Sequence, residues 1–318
     1  MLDILIITTG GTIGSAQNNG AVNVIDGGDV NPPVVEMYRA EHPHVRFDVM
    51  PVMNILSENL CAGDLNTLAK ALLTADLEKY HGVIVLCGSD NLAYLASFIG
   101  LLTYRRKPVM TVASDKVLTD PAGNGYENFC TAVGLISDSF CGPCVPYRNT
   151  GGMLIHSAFD IRQADLSSDF YSFSGRYTDT KNLHGGSAVS DAYIRQTIPD
   201  VFDAAHLPVI REDVLLIHPY PMLDYDALDI TGKRAVIHTL YHSSTLNSDG
   251  AIRLLRRLGD VPMYLASFRG GKPRYQTAID VIGAGAIPLT DISPECAYMK
   301  LVLACAQDRM SVREFMEG

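Results

Sequence analysis

Three short segments in the first hundred residues carry side chains suited to chemistry. Thr8-Thr9-Gly10-Gly11-Thr12-Ile13-Gly14 follows the apolar run Ile4–Thr8. Its glycines let backbone come close to a ligand. A hydroxyl such as that of Thr12 can attack an acyl carbon if a base takes its proton and donors receive the developing oxyanion. Asn54-Ile55-Leu56-Ser57-Glu58-Asn59 and Cys87-Gly88-Ser89-Asp90-Asn91 also end strand-like runs and precede helical spacing. Each has a plainer reading as a tight turn or as the N-cap of the next helix. All three, however, fall at the carboxyl ends of strands, where ligands sit in open α/β sheets. All three present hydroxyls and two add carboxylates, a convergence that suits a small polar zwitterion. A dinucleotide site would need G-x-G-x-x-G opening a long helix; the spacing here differs, and Asn18-Asn19-Gly20 interrupts any helix soon after.

Other motifs lead elsewhere. Cys141-Gly142-Pro143-Cys144 spells C-x-x-C, but it follows a helix instead of joining a first strand to a helix, so a redox role is not expected. No second ligand pair stands at zinc spacing. His238 and His242 lie on a strand and its exit, about 13 Å apart at roughly 3.3 Å per residue, too far to share an ion. His42-Pro43-His44 reads as a solvated loop. No metal and no cofactor are expected.

The elements that must position these groups alternate. Ile4–Thr8, Val45–Val52, Gly82–Leu86, Pro108–Val112 and Met153–His156 read as strands; Leu65–Tyr80, Leu92–Tyr104 and Tyr126–Ser137 read as helices. Continuous apolar strands between helices predict βαβ units and a mostly parallel sheet with helices on both faces. From about Gly175 to Arg211 the period is lost, which predicts a linker, with room for a hairpin. The alternation then restarts: strands at Val214–His218, Ala235–Leu240 and Met263–Ala266, a helix at Asp249–Leu258, further segments at Thr277–Ile282 and Ala286-Ile287, and closing helices at Pro294–Cys305 and Ser311–Met316. The last carries Ser311 as N-cap and Glu314 three residues on.

Composition narrows the class. The chain has 318 residues, 47% apolar and 19% charged, enough for a sizeable core and two domains or one large one. Its net charge is −10, with no long basic run, which disfavours nucleic acid and anionic membranes as partners. The opening MLDILIITTGG lacks a basic leader region, and no apolar run reaches about 18 residues. Seven cysteines, an odd count, read as reduced thiols of a cytoplasmic protein.

Taken together, T-G-G-T-I-G at Thr9–Gly14, N-I-L-S-E-N at Asn54–Asn59, G-V-I-V-L-C-G-S-D-N at Gly82–Asn91, K-P-V-M-T-V at Lys107–Val112 and N-G-x-x-N-F at Asn124–Phe129 resemble the bacterial-type L-asparaginase/glutaminase family. The resemblance runs over most of the chain. It implies a larger N-terminal α/β domain (residues 1–185), a linker (186–213) and a smaller C-terminal α/β domain (214–318), in a homodimer or homotetramer. Thr12 matches the threonine that attacks the side-chain amide, and Ser57 the group holding the substrate α-carboxylate. Glu58 stands where the family binds the α-ammonium, a role Asp90 shares, and Ser89 matches the second catalytic threonine. Gly11, Gly88 and Ser114 complete the expected substrate-binding set. The implied activity is hydrolysis of the side-chain amide of asparagine or a related small amide; the alternative is an impaired member that binds a small amino acid without efficient turnover.

The departures lie among the proton-handling groups. The family's H-G-T-D-T reads Cys87-Gly88-Ser89-Asp90-Asn91. Its lysine after the strand at Met153–His156 is missing, since no lysine occurs between Lys116 and Lys181. Its lid tyrosine is missing too: Ser15–Pro32 holds no Tyr, and the alignment places Ala21 or a neighbour there. Two cations are candidates to substitute. Lys116 lies in the loop that borders the substrate amide in the family, or is simply a solvated loop lysine. Arg162 cannot act as a base at neutral pH but can stabilise charge.

Overall fold

The computed structural model describes the chain except residues 12, 14, 19–20, 25–31, 105, 141, 180–195, 272 and 318, and gives the backbone alone at 15–18, 21–24 and 178–179. It divides into two compact units: Met1–Thr197 with Phe202–Leu207, and Ile198–Val201 with Pro208–Gly318. Of the stretch read as a linker, residues 186–195 lie outside the described residues.

The first unit opens with β1 (Leu2–Gly10), the antiparallel pair β2 (Ser15–Asn18) and β3 (Ala21–Val24), α1 (Pro33–Glu41) and β4 (Val45–Ile55). There follow α2 (Ala62–Thr74), β5 (Gly82–Leu86), α3 (Leu92–Thr103), β6 (Val109–Val112), α4 (Gly125–Ser137), β7 (Cys144–Asn149) and β8 (Gly152–Ser157). The short strands β9 (Ile161–Arg162), β10 (Tyr171–Ser172) and β11 (Thr178–Asp179) end the unit's described elements. Seven strands form one sheet in the order β11-β8-β7-β6-β5-β1-β4. The run from β4 to β7 is parallel; β8 and β11 are antiparallel to their neighbours. β4 closes one edge of the described sheet, with Pro51 opposite Thr8.

The continuous apolar strands are buried because helices cover both faces. Ile4, Ile6, Ile84, Leu86, Met110 and Val112 share a core with Val34, Val35 and Tyr38 of α1 and Phe129, Val133 and Ile136 of α4. On the other face α2 and α3 pack together against β4 and β6. α3 is buried from Leu92 to Thr103 except for Tyr94, so its helical spacing encloses apolar residues all round.

The second unit holds β12 (Val214–Ile217), β13 (Ala235–Thr239), α5 (Ser248–Leu258), β14 (Met263–Phe268), α6 (Gln276–Gly283), β15 (Ile287–Thr290), α7 (Pro294–Cys305) and α8 (Val312–Glu317). Its four strands are parallel in sequential order. The expected capping box opens α8: Ser311 N–H donates to Glu314 Oε2 at 2.8 Å, and Glu314 N–H donates to Ser311 Oγ at 3.2 Å.

Several elements were not expected: the short strands β2, β3 and β9–β11, and also α1 and β7. α1 has only nine residues, with proline at its first position as its one start signal. β7 contains Pro146, which normally demotes a strand; it is tolerated because the β6 ladder has ended at the Met110–Cys144 pair. Among the described residues no helix is long and apolar enough to cross a membrane, and no group of three or more His, Cys, Asp and Glu could hold a metal.

Candidate functional site

Connectivity selects the place before any side chain does. From β1 the chain moves to β4 on one side, then crosses back over β1 to β5 on the other. The crevice outside the carboxyl ends of β1 and β5 is therefore the switch point at which open α/β sheets bind ligands. Gly10-Gly11 leaves β1 there, and Cys87–Asn91 leaves β5. β4, pairing β1 from the other side, delivers Ser57.

These loops interlock through missing side chains. Gly10 and Gly11 both have positive φ, +101° and +88°. A Cβ on Gly10 would lie 2.6 Å from the Ile55 nitrogen, and one on Gly11 would lie 2.6 Å from the Cys87 carbonyl carbon. A Cβ on Gly88 would lie 2.5 Å from Ser57 Cβ. Three strand ends thus touch so closely that only glycine fits between them.

Polar groups hold the contact. Ser57 Oγ donates to Asp90 Oδ2 at 2.9 Å, and Asn91 Nδ2 donates to the Ser57 carbonyl. Thr9 Oγ1 donates to the Leu86 carbonyl at 3.0 Å, tying β1 to β5 just below the turn. Asp90 and Glu58 are exposed, while Ser57 and Ser89 are half-buried. A small pocket behind the loops is lined by Thr9, Ile55, Ser57, Leu60, Gly88, Asn91 and Leu95. The capping alternatives give way: Asn91 begins α3 without a side-chain cap, and α2 starts after Cys61, whose N–H donates to Asp64 Oδ2 at 2.9 Å.

Gly11, Ser57, Gly88, Ser89 and Asp90 therefore gather at one crevice, with Glu58 on the same short turn as Ser57. Thr12 and the residues around the lid position lie outside the described residues, apart from the β2–β3 backbone that includes Ala21. Ser114 follows β6 and is buried; its hydroxyl donates to the Lys116 carbonyl at 2.5 Å. Lys116 Nζ pairs with Asp120 Oδ2 at 3.4 Å within its own loop. Arg162 lies over the rings of Tyr171 and Phe173, 5.9 Å from each centroid. Cys87, standing where the family has histidine, is buried, and burial pushes its thiol pKa up to about 12. It stays neutral at physiological pH. Of the C-x-x-C motif, Cys144 is a buried thiol in β7 whose pKa desolvation pushes up, and Cys141 lies outside the described residues.

Two side chains beyond the expected set join the crevice. Asn91, at a departure from the family pattern, binds the Ser57 loop. Gln163 donates through Nε2 to the Ser89 carbonyl at 3.0 Å and accepts from the Ala93 N–H through Oε1 at 3.3 Å. Nothing in the residue type foretells this; the only signal was its place in the segment after β8, where a family lysine was sought.

Comparison with known proteins agrees with this fold. Structures of the thermostable L-asparaginase from Thermococcus kodakarensis and of L-asparaginase I from Vibrio cholerae O1 biovar eltor str. N16961 share the fold. Their TM-scores are 0.74 and 0.73 at 20% and 19% identity; the alignments cover 100% and 99% of this chain and 97% and 96% of those chains. In sequence, the chain is 25% identical to a subunit of the glutamyl-tRNA(Gln) amidotransferase of Saccharolobus islandicus, over 99% of this chain and 74% of that protein. It is 29% identical to probable L-asparaginase 4 of Schizosaccharomyces pombe, over 43% of this chain and 39% of that protein. The model of the asparaginase N-terminal domain matches residues 3–187. More than half the chain fits that model, its motifs meet at the switch point of the sheet, and the chain belongs to the asparaginase family, with that family's amidohydrolase fold.

Proposed function

We propose that this protein hydrolyses the side-chain amide of L-asparagine, or of a related small amide, to the acid and ammonia. The observation that carries the reading is the meeting of Ser57, Asp90 and Asn91 beside the Gly10-Gly11 turn, which leads directly into Thr12. The Thr12 hydroxyl attacks the amide carbon as its proton is taken up, giving a tetrahedral oxyanion. Collapse releases ammonia and leaves an ester on Thr12; water then adds, the ester C–O bond breaks, and the acid departs with the hydroxyl restored. Ser57 donates to the substrate α-carboxylate, while Asp90 and Glu58 receive its ammonium. Ser89 supplies the second hydroxyl. The Ser57–Asp90 hydrogen bond keeps both partners oriented, so a substrate need only insert between them.

The protein is proposed to work in the cytoplasm as a homodimer or homotetramer, with a small amino acid as its ligand. The name of the Saccharolobus relative makes glutamine the second amide to try. A second reading, binding with little turnover, is favoured by one observation: the cation nearest in sequence to Ser114 is engaged with Asp120.

Ammonia release from asparagine and glutamine, measured beside Thr12→Ala, tests the proposal. The expected loss in the variant is on the order of 10³-fold or more, the effect of removing a nucleophile. Equal release by both proteins overturns it. No release by either, with aspartate still raising the melting temperature, leaves the binding reading.

A further inference from the structure

We infer that Gln163 is a positioning residue for the Ser89–Asp90 dipeptide, acting as an amide clip across the start of α3. The inference rests on the proposed amidohydrolase reading. Asn91 occupies the N-cap of α3 without a side-chain cap bond, and its Nδ2 donates instead to the Ser57 carbonyl. The Ala93 N–H of the first turn has no acceptor within the helix and needs one from elsewhere. Gln163 supplies the missing acceptor from 70 residues away, taking the Ala93 N–H on Oε1 at 3.3 Å. With its other end it donates to the Ser89 carbonyl at 3.0 Å. That carbonyl also receives the Leu92 N–H at 3.2 Å, so both its lone pairs are engaged.

The dipeptide is held from both flanks. Asn91 ties its carboxyl side to the β4 loop, and Gln163 ties the Ser89 peptide to the segment after β9. β9 is anchored in turn by β10, where Ile161 pairs with Ser172 and Arg162 with Tyr171. A neutral amide does both tasks at 163 because it carries a donor and an acceptor. A carboxylate offers acceptors alone and an ammonium donors alone. Capping and positioning therefore separate by substitution.

Gln163→Glu keeps an acceptor for Ala93, and its charge suits a helix N-terminus, but it turns a carboxylate toward the Ser89 carbonyl. Its melting temperature is expected to stay at or above wild type. Its kcat is expected to fall on the order of 10–100-fold, the effect of a misplaced catalytic loop. The loss should shrink as pH is lowered from about 7.5 toward about 4, where a glutamate carboxyl regains its proton; wild type shows no such recovery. Gln163→Lys keeps a donor for Ser89 and loses the acceptor for Ala93, so it should melt lower and lose less kcat than Gln163→Glu. A Gln163→Glu protein with wild-type kcat and pH profile overturns the inference, as does a reversed order of the two variants. If wild-type protein releases no ammonia, the amidohydrolase reading fails by itself. Gln163 is then judged by amide hydrogen exchange at Asp90 and Asn91. Exchange about tenfold faster in Gln163→Glu, at unchanged melting temperature, supports the clip, and unchanged exchange overturns it.

Discussion

The loops at the carboxyl ends of the two sheets are built from similar residues and differ in what their glycines are for. Around the large sheet, Gly10, Gly11 and Gly88 stand where any side chain would overlap another loop. Around the small sheet, Gly270 and Gly271 also have positive φ, but an added Cβ would meet no heavy atom within 4 Å. The small-sheet glycines serve their own turns. The large-sheet glycines serve a contact between three strand ends. A glycine-rich loop is thus better evidence for a site when its glycines are needed by another loop than when they merely permit a turn.

The largest expected effect tests that difference directly. Gly11→Ala must relieve an overlap with the Cys87 backbone and accept a φ of +88°, so a loss of more than about 3 kcal/mol is expected. Urea unfolding measures it; a loss below that of a small-sheet glycine variant would break the comparison. Next in size is acid. Among the described residues, each unit buries one histidine whose pKa is depressed to about 4 by desolvation: His156 in β8 and His238 in β13. Both are neutral when folded, and the unfolded chain binds the proton more readily, near pH 6.5. Their stability contribution is therefore complete above about pH 6.5 and is lost as pH falls toward about 4, by about 3 kcal/mol for each. Denaturant midpoints flat between about pH 7 and about pH 4.5 would contradict this.

The two histidines also differ. His238 Nδ1 donates to the Thr239 carbonyl at 2.5 Å and Nε2 accepts from the Tyr225 hydroxyl at 2.9 Å, whereas His156 has only Ser172 on Nδ1 and an unpartnered buried Nε2. His238→Leu strands two polar groups and His156→Leu strands one. The first should be the more destabilising by about 1–3 kcal/mol. Smallest of all, Gly270→Ala should lose only about 1–2 kcal/mol, the penalty of a left-handed alanine. A larger loss would mean that the small-sheet turn has a neighbour after all.

The strands lining the large crevice were legible because burial on both faces forces continuous apolar runs such as Ile4–Thr8 and Gly82–Leu86. The sequence-read helices over 92–104 and 126–137 agree with the structure to within one residue at either end. The meeting of Ser57 with Asp90 was legible only as position, three strand ends on one edge. Which atoms touch was not, because that pairing depends on glycines accommodating neighbours distant in sequence. Asn91 was read as a departure and Gln163 as the space left by a lysine. Both proved to be hydrogen-bonding amides whose partners are backbone groups, and backbone groups leave no mark in residue type. The short helix at Pro33–Glu41 and the proline-bearing strand at Cys144–Asn149 escaped because each carries weak local preference that packing overrides.

Pro51 has a consequence for how these molecules treat one another. β4 is an eleven-residue strand on the rim of the sheet, and a rim of that length is a template on which another chain can add a strand. Proline near its middle removes one backbone donor, and exposed Arg46 and Asp48 set opposite charges along the same rim. The strand that carries Ser57 into the crevice is thereby also one whose free edge is a poor template for pairing with another chain.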